Sequence, residues 1–98
     1  MTTRLRPSTG NVFADLGFPA DESMHLRIRA DLMIELRKFI AARGLTQSAA
    51  ARLLRVSQPR VSDLLGGKIE RFSIDTLIEM LGRAGQTVQV TTKRRRVA

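Results

Sequence analysis

The stretch "RVSQPRVSDLLGGK", Arg55 to Lys68, constrains this chain more than any other, because it sets a proline inside a helical pattern. Val61, Leu64 and Leu65 recur at helical spacing and predict a short amphipathic helix. Proline in a helix interior removes a backbone hydrogen bond and clashes with the preceding turn. In the first turn that N–H has no intrahelical partner, so nothing is lost and a suitable φ is preset. With Ser57 as N-cap, Gln58 and Pro59 fall in the first turn. Pro59 therefore marks a helix start, and Gly66-Gly67 marks the stop.

A second short helix precedes it, opened by Thr46 and carrying Ala50, Leu53 and Leu54 on its inner face. Its end near Leu54 lies about three residues from Ser57, and two short helices across so tight a turn form a helix-turn-helix unit. The later helix then presents Gln58, Arg60, Ser62 and Asp63 away from its apolar side. An α-helix fits the major groove of B-DNA, where Arg pairs with guanine acceptors and Gln with the adenine edge. Ser reaches either, and Asp accepts from cytosine. Hydroxyls at helix N-termini, here Thr46 and Ser57, suit phosphate oxygens. The balance of charge agrees: 17 Lys and Arg against 9 Asp and Glu give a net charge of +8, which favours a polyanionic partner.

The remaining chain frames this unit. From about Asp21 to Arg43, Ile28, Leu32, Leu36, Phe39 and Ile40 form one apolar stripe, with Asp21 or Ser23 as the expected cap and Gly44 as the stop. Ser73 opens a further helix with Leu77, Ile78 and Leu81 inside and Gly82 or Gly85 at its end. Val56 before Ser57 and Phe72 before Ser73 are placed to staple Val61 and Leu77. Met24, Met33 and Met80 fall on or near apolar stripes and are expected in the core. Thr87, Val88, Gln89, Val90 and Thr91 then alternate as a strand does. A lone strand needs a partner, and the economical one is the same strand of a second copy about a two-fold axis.

The first twenty residues lack a sustained helical period, yet hold Val12, Phe13, Leu16 and Phe18, with room for one helical turn around Val12 to Leu16. Two uses are open: packing on the long helix of the same chain, or docking a partner protein. Lys68 and Arg71 lie just past the groove-fitting helix, where a DNA backbone passes; Arg52 is a weaker candidate. The run Lys93 to Arg96 either adds non-specific DNA affinity or is a solvated end.

Other chemistries find little here. Cysteine is absent and His25 is the one histidine, so thiolate and multi-histidine metal sites are excluded, and no cofactor is expected. Asp31 and Glu35 share a helix face without a nucleophile or base beside them, so no enzyme is expected. No apolar run suits a bilayer or a signal peptide, which makes the cytoplasm the default location.

The segment "LTQSAAARLLRVSQPRVSDLLGGK" resembles the helix-turn-helix of the lambda-repressor-like, XRE-type DNA-binding family: Thr-Gln, a small-residue helix, a tight turn, Ser-Gln, Val-Ser-x-Leu, and a glycine-containing end. "GKIERFSIDTLIEMLGRAGQTVQV" with "GNVFADLG" is similar to the HigA-type antitoxin subgroup. The resemblance implies an all-α bundle of about four to five helices with one C-terminal β-strand paired across a homodimer. It implies that Gln47 contacts a phosphate and braces Gln58, which reads a base, while Pro59, Arg60, Ser62 and Asp63 line the outer face of the recognition helix. Two residues depart from the pattern. Arg55 occupies a turn position often filled by glycine, and is free to reach the DNA backbone; Pro59 replaces a polar side chain and offers only apolar contact.

The resulting expectation is an N-terminal arm (1–20), a DNA-binding domain with its dimerisation strand (21–92) and a basic tail (93–98). The implied partners are double-stranded operator DNA, a second copy and a small ribonuclease toxin whose operon the protein represses. The alternative is a stand-alone regulator with no toxin partner.

Overall fold

The computed structural model describes residues 2–5 and 12–94. Residues 6–11 of the N-terminal arm, and Arg95 and Arg96 of the basic tail, lie outside the described residues. The described chain runs β1 (Thr2–Leu5), α1 (Val12–Asp15), α2 (Ala20–Ala42), α3 (Gln47–Leu54), α4 (Gln58–Leu65), a 3-10 turn (Ile69–Arg71), α5 (Ile74–Arg83) and β2 (Thr87–Val90). The fold is the expected helical bundle with a C-terminal strand, and α1 is the single turn foreseen around Val12.

One core gathers α2 to α5. The stripe of α2 contributes Leu32, Met33, Leu36, Phe39 and Ile40, to which α3 adds Ala50, Ala51 and Leu54. From α4 come Val61 and Leu64, and from α5 Leu77, Met80 and Leu81, with Phe72 buried just ahead of α5. Leu36, Leu54, Leu64 and Leu77 have no exposed surface, so truncating any of them to alanine costs about 2–5 kcal/mol. The helix-turn-helix is thus bolted to the rest of the domain from beneath, and its upper side is left to water.

All five α-helices of the described chain end in the same way. An N–H just past the helix, the third residue beyond it after α1, α2, α4 and α5 and the second after α3, donates to the carbonyl five residues back, as from Leu45 to Ile40, Val56 to Ala51 and Lys68 to Asp63, at 3.0–3.1 Å. That closure needs a left-handed residue just before the donor. Gly17, Gly44, Gly67 and Gly85 supply it after α1, α2, α4 and α5, whereas Arg55 supplies it after α3 with φ 56° and ψ 46°.

Three expectations change. β2 is not alone: it pairs in parallel with β1 of the same chain, Thr2 opposite Thr87 through to Leu5 opposite Val90. "TTRL" is too short to show an apolar alternation, so it carried no strand signal. Secondly, α2 is entered from Pro19, at φ −56°, with no side-chain cap from Asp21 or Ser23. Ser23 is buried instead, and its Oγ donates to the Ala20 carbonyl at 3.0 Å. Thirdly, Ile78 and Met24 are exposed rather than core. Leu77, Met80 and Leu81 already fill the narrow inner stripe of α5, and Ile78 points about 100° away from Leu77. Met24 extends the stripe of α2 past Ile28, the residue nearest its start that packs on the core.

Candidate nucleic-acid interface

Each helix of the helix-turn-helix is capped by the hydroxyl that the sequence offered. Thr46 Oγ1 accepts from the Ala49 N–H at 3.1 Å, and Ser57 Oγ accepts from the Arg60 N–H at 3.2 Å. Both N-caps are exposed, as are Gln47 and Gln58 in the first turns. Arg55, the left-handed residue of the turn, directs an exposed side chain outward from the same junction. On α4, Val61 and Leu64 are buried, whereas Gln58, Pro59 and Ser62 stand exposed. The outer face expected from Pro59 as a helix start is therefore the face that the fold leaves open.

Arg60 and Asp63 are placed differently. Both are half-buried and face the 3-10 turn. Arg60 Nη1 donates to the Arg71 carbonyl at 2.7 Å, and its guanidinium lies 5.1 Å from the centroid of the Phe72 ring. Asp63 accepts from Arg71 Nη1 at 3.2 Å to each carboxylate oxygen, and Lys68 Nζ stands 4.0 Å from Asp63 Oδ1. The fold thus brings Arg60, Asp63, Lys68 and Arg71 together in one cluster beside the exposed outer face of α4. It leaves Gln58, Pro59 and Ser62 as the side chains of α4 that point freely outward.

Two further arginines, invisible to local pattern, brace this unit. Arg29 of α2 donates to the Ile69 carbonyl at 3.4 Å, so the 3-10 turn is gripped from α2 as well as from α4. Arg83 of α5 donates to the Leu54 carbonyl at 3.1 Å, setting a cation on the C-terminus of α3. Their partners lie 40 and 29 residues away, so no sequence window holds both ends. Three of the basic residues behind the high net charge are therefore engaged with backbone carbonyls.

Elsewhere, Val12 and Leu16 are 64% and 70% exposed, and Phe18 is also exposed. Phe13 is half-buried and meets Phe18 edge-on with ring centroids 6.1 Å apart. None of the four belongs to the core or packs against it. In the C-terminal segment Val88 packs on the core, while Thr87, Gln89, Val90 and Thr91 are exposed. Among the described residues no group of His, Cys, Asp and Glu is arranged to hold a metal ion, and no helix is long and apolar enough to cross a membrane.

Comparison with known proteins agrees with this geometry. A family model described as a helix-turn-helix domain matches residues 12–93. A solved chain carrying the provisional designation of XRE family transcriptional regulator superposes with a TM-score of 0.72 at 30% sequence identity, over 79% of this chain and 90% of that one. No curated protein matches the sequence. The match spans the capped helix pair, its turn and the supporting helices, and the chain belongs to the XRE family of helix-turn-helix proteins.

Proposed function

We propose that the protein is a sequence-specific transcriptional repressor that binds operator DNA as a homodimer. One observation carries this reading: α4 starts on a capped, exposed N-terminus and turns Gln58, Pro59 and Ser62 to solvent beside Arg55, Lys68 and Arg71. Gln58 and Ser62 have the donors and acceptors to read base edges, and Pro59 gives apolar contact to a thymine methyl. Thr46, Gln47, Arg55, Ser57, Lys68 and Arg71 position the helix through phosphates. Arg60 and Asp63 reach a base only by leaving the cluster described above. For the dimer, the two-stranded sheet leaves the outer edge of β2 without a third strand among the described residues. Pairing of that edge with the same edge of a second copy gives a two-fold interface. Deleting residues 87–92 is expected to yield a folded monomer in sedimentation; a persistent dimer places the interface elsewhere.

The antitoxin role rests on a separate observation, the exposed apolar side chains of Val12, Leu16 and Phe18, in and just after α1 and ahead of α2. Residues 12–24 contain Asp15, Asp21 and Glu22 but no Lys or Arg, so this end repels DNA phosphates and suits a basic protein surface. A small basic ribonuclease encoded beside this gene fits that surface. The Leu16→Asp protein should retain DNA binding and lose co-purification with that neighbour when both are expressed from the native operon. Co-purification unchanged by Leu16→Asp, or the lack of such a neighbouring frame, favours the stand-alone regulator.

A further inference from the structure

The geometry around α4 points to a role for Asp63 other than reading a base. We propose that Asp63 is a built-in counter-ion that competes with DNA phosphate for Lys68 and Arg71, and so sets how tightly the protein holds DNA of any sequence. The inference rests on the DNA-binding reading of this face.

Three placements lead to it. The Asp63 side chain is only 20% exposed, on the flank of α4 rather than its outer face. Both of its oxygens are taken by one Arg71 nitrogen at 3.2 Å, with the Lys68 ammonium at 4.0 Å. Arg71 and Lys68 nonetheless keep half of their own side-chain surface in water, at 53% and 50%. A phosphate can therefore approach both cations, but it meets them with a carboxylate already between them. The repulsion it feels is the same for every base sequence, because the backbone is the same. The Arg71 carbonyl is in turn bound by Arg60, so Asp63 also fixes the frame from which Arg71 reaches outward.

A charge of this kind has a signature distinct from base readout. Neutralising it should raise affinity for all duplexes together and increase the number of counter-ions released on binding. The test uses Asp63→Asn, which keeps the shape, and Asp63→Glu, which keeps the charge. Each variant and the wild type is titrated by fluorescence anisotropy against a random-sequence 30-base-pair duplex and a duplex selected by the wild type, over a range of salt. Asp63→Asn is expected to bind both duplexes about fivefold more tightly at low salt, the equivalent of one exposed charge pair at ~4 Å in water. Its log–log salt slope should steepen by about one, and Asp63→Glu should return it towards the wild-type value. Arg71→Gln serves as a second route: its effect on the slope should be larger in the Asp63→Asn background than alone.

Equal slopes in wild type and Asp63→Asn, or strictly additive effects of Asp63→Asn and Arg71→Gln, would overturn the counter-ion role and leave DNA binding standing. Loss of affinity for the selected duplex alone would instead assign Asp63 to base readout. If no version, wild type included, binds any duplex, the DNA-binding reading falls and this role falls with it.

Discussion

The Arg60 guanidinium lies 5.1 Å from the centroid of the Phe72 ring while its Nη1 donates to the Arg71 carbonyl at 2.7 Å. By sequence, Arg60 is the best guanine reader of the chain; by structure, it ties the recognition helix to the segment that leads into α5. A hydrogen bond from a charged donor contributes about 1.5–3 kcal/mol when well buried, and an exposed cation–π contact about 0.5–1 kcal/mol. Arg60 is half-buried, so Arg60→Ala is expected to lower the unfolding free energy by about 1–2 kcal/mol in urea titration. An unchanged midpoint would mean that these two contacts contribute nothing in solution, and would return Arg60 to the base readers.

Arg55 makes an opposing pair of predictions. It is the non-glycine residue among the five left-handed helix closures, at φ 56°. Left-handed backbone costs a residue with a Cβ about 1 kcal/mol. Arg55→Gly is therefore expected to raise the unfolding free energy by about 0.5–1 kcal/mol, part of the relief being offset by the greater freedom of glycine in the unfolded chain. If the arginine is kept in that turn for its charge, the same variant should bind all duplexes more weakly and flatten the salt slope by about one. A more stable protein with unchanged DNA affinity would remove Arg55 from the interface.

These two arginines also mark how far the sequence alone can be read. The helix boundaries were legible because cap, apolar period and closing glycine agree, as at Ser57, Val61 and Gly67. The outer face of α4 followed from Pro59, since a helix start at Ser57 fixes which residues lie opposite Val61 and Leu64. What the chain does not show locally is which side chains fold back. Arg60 meets Arg71, and Arg83 meets Leu54, across 11 and 29 residues, and such contacts depend on tertiary packing. For the same reason β1 was missed, because its partner lies at the far end of the chain.

Asp31 on α2 gives a pH dependence. Burial pushes its carboxyl above the ordinary value of 3.8, Arg27 partly opposes this, and Glu35 adds to it. An acid whose folded pKa is raised binds its proton more tightly when folded. The stability it contributes is complete below pH 3.8 and is lost as pH rises through the folded value. Asp31→Asn, permanently neutral, should therefore melt higher than wild type at pH 7, and the difference should close as pH falls below 3.8. A difference that is constant across pH would show that the gain does not come from the charge.

The central claim is that α4 enters a DNA groove and that Gln58 reads a base there. It is tested most directly by selecting duplexes from a random library with the wild-type protein and with Gln58→Ala. The wild type should enrich an inverted repeat with half-sites about one helical turn apart. Gln58→Ala should lose about 1–3 kcal/mol of discrimination at one position of each half-site and keep the others. Enrichment of no motif, or an equal loss of affinity for selected and random duplexes in Gln58→Ala, would contradict the account.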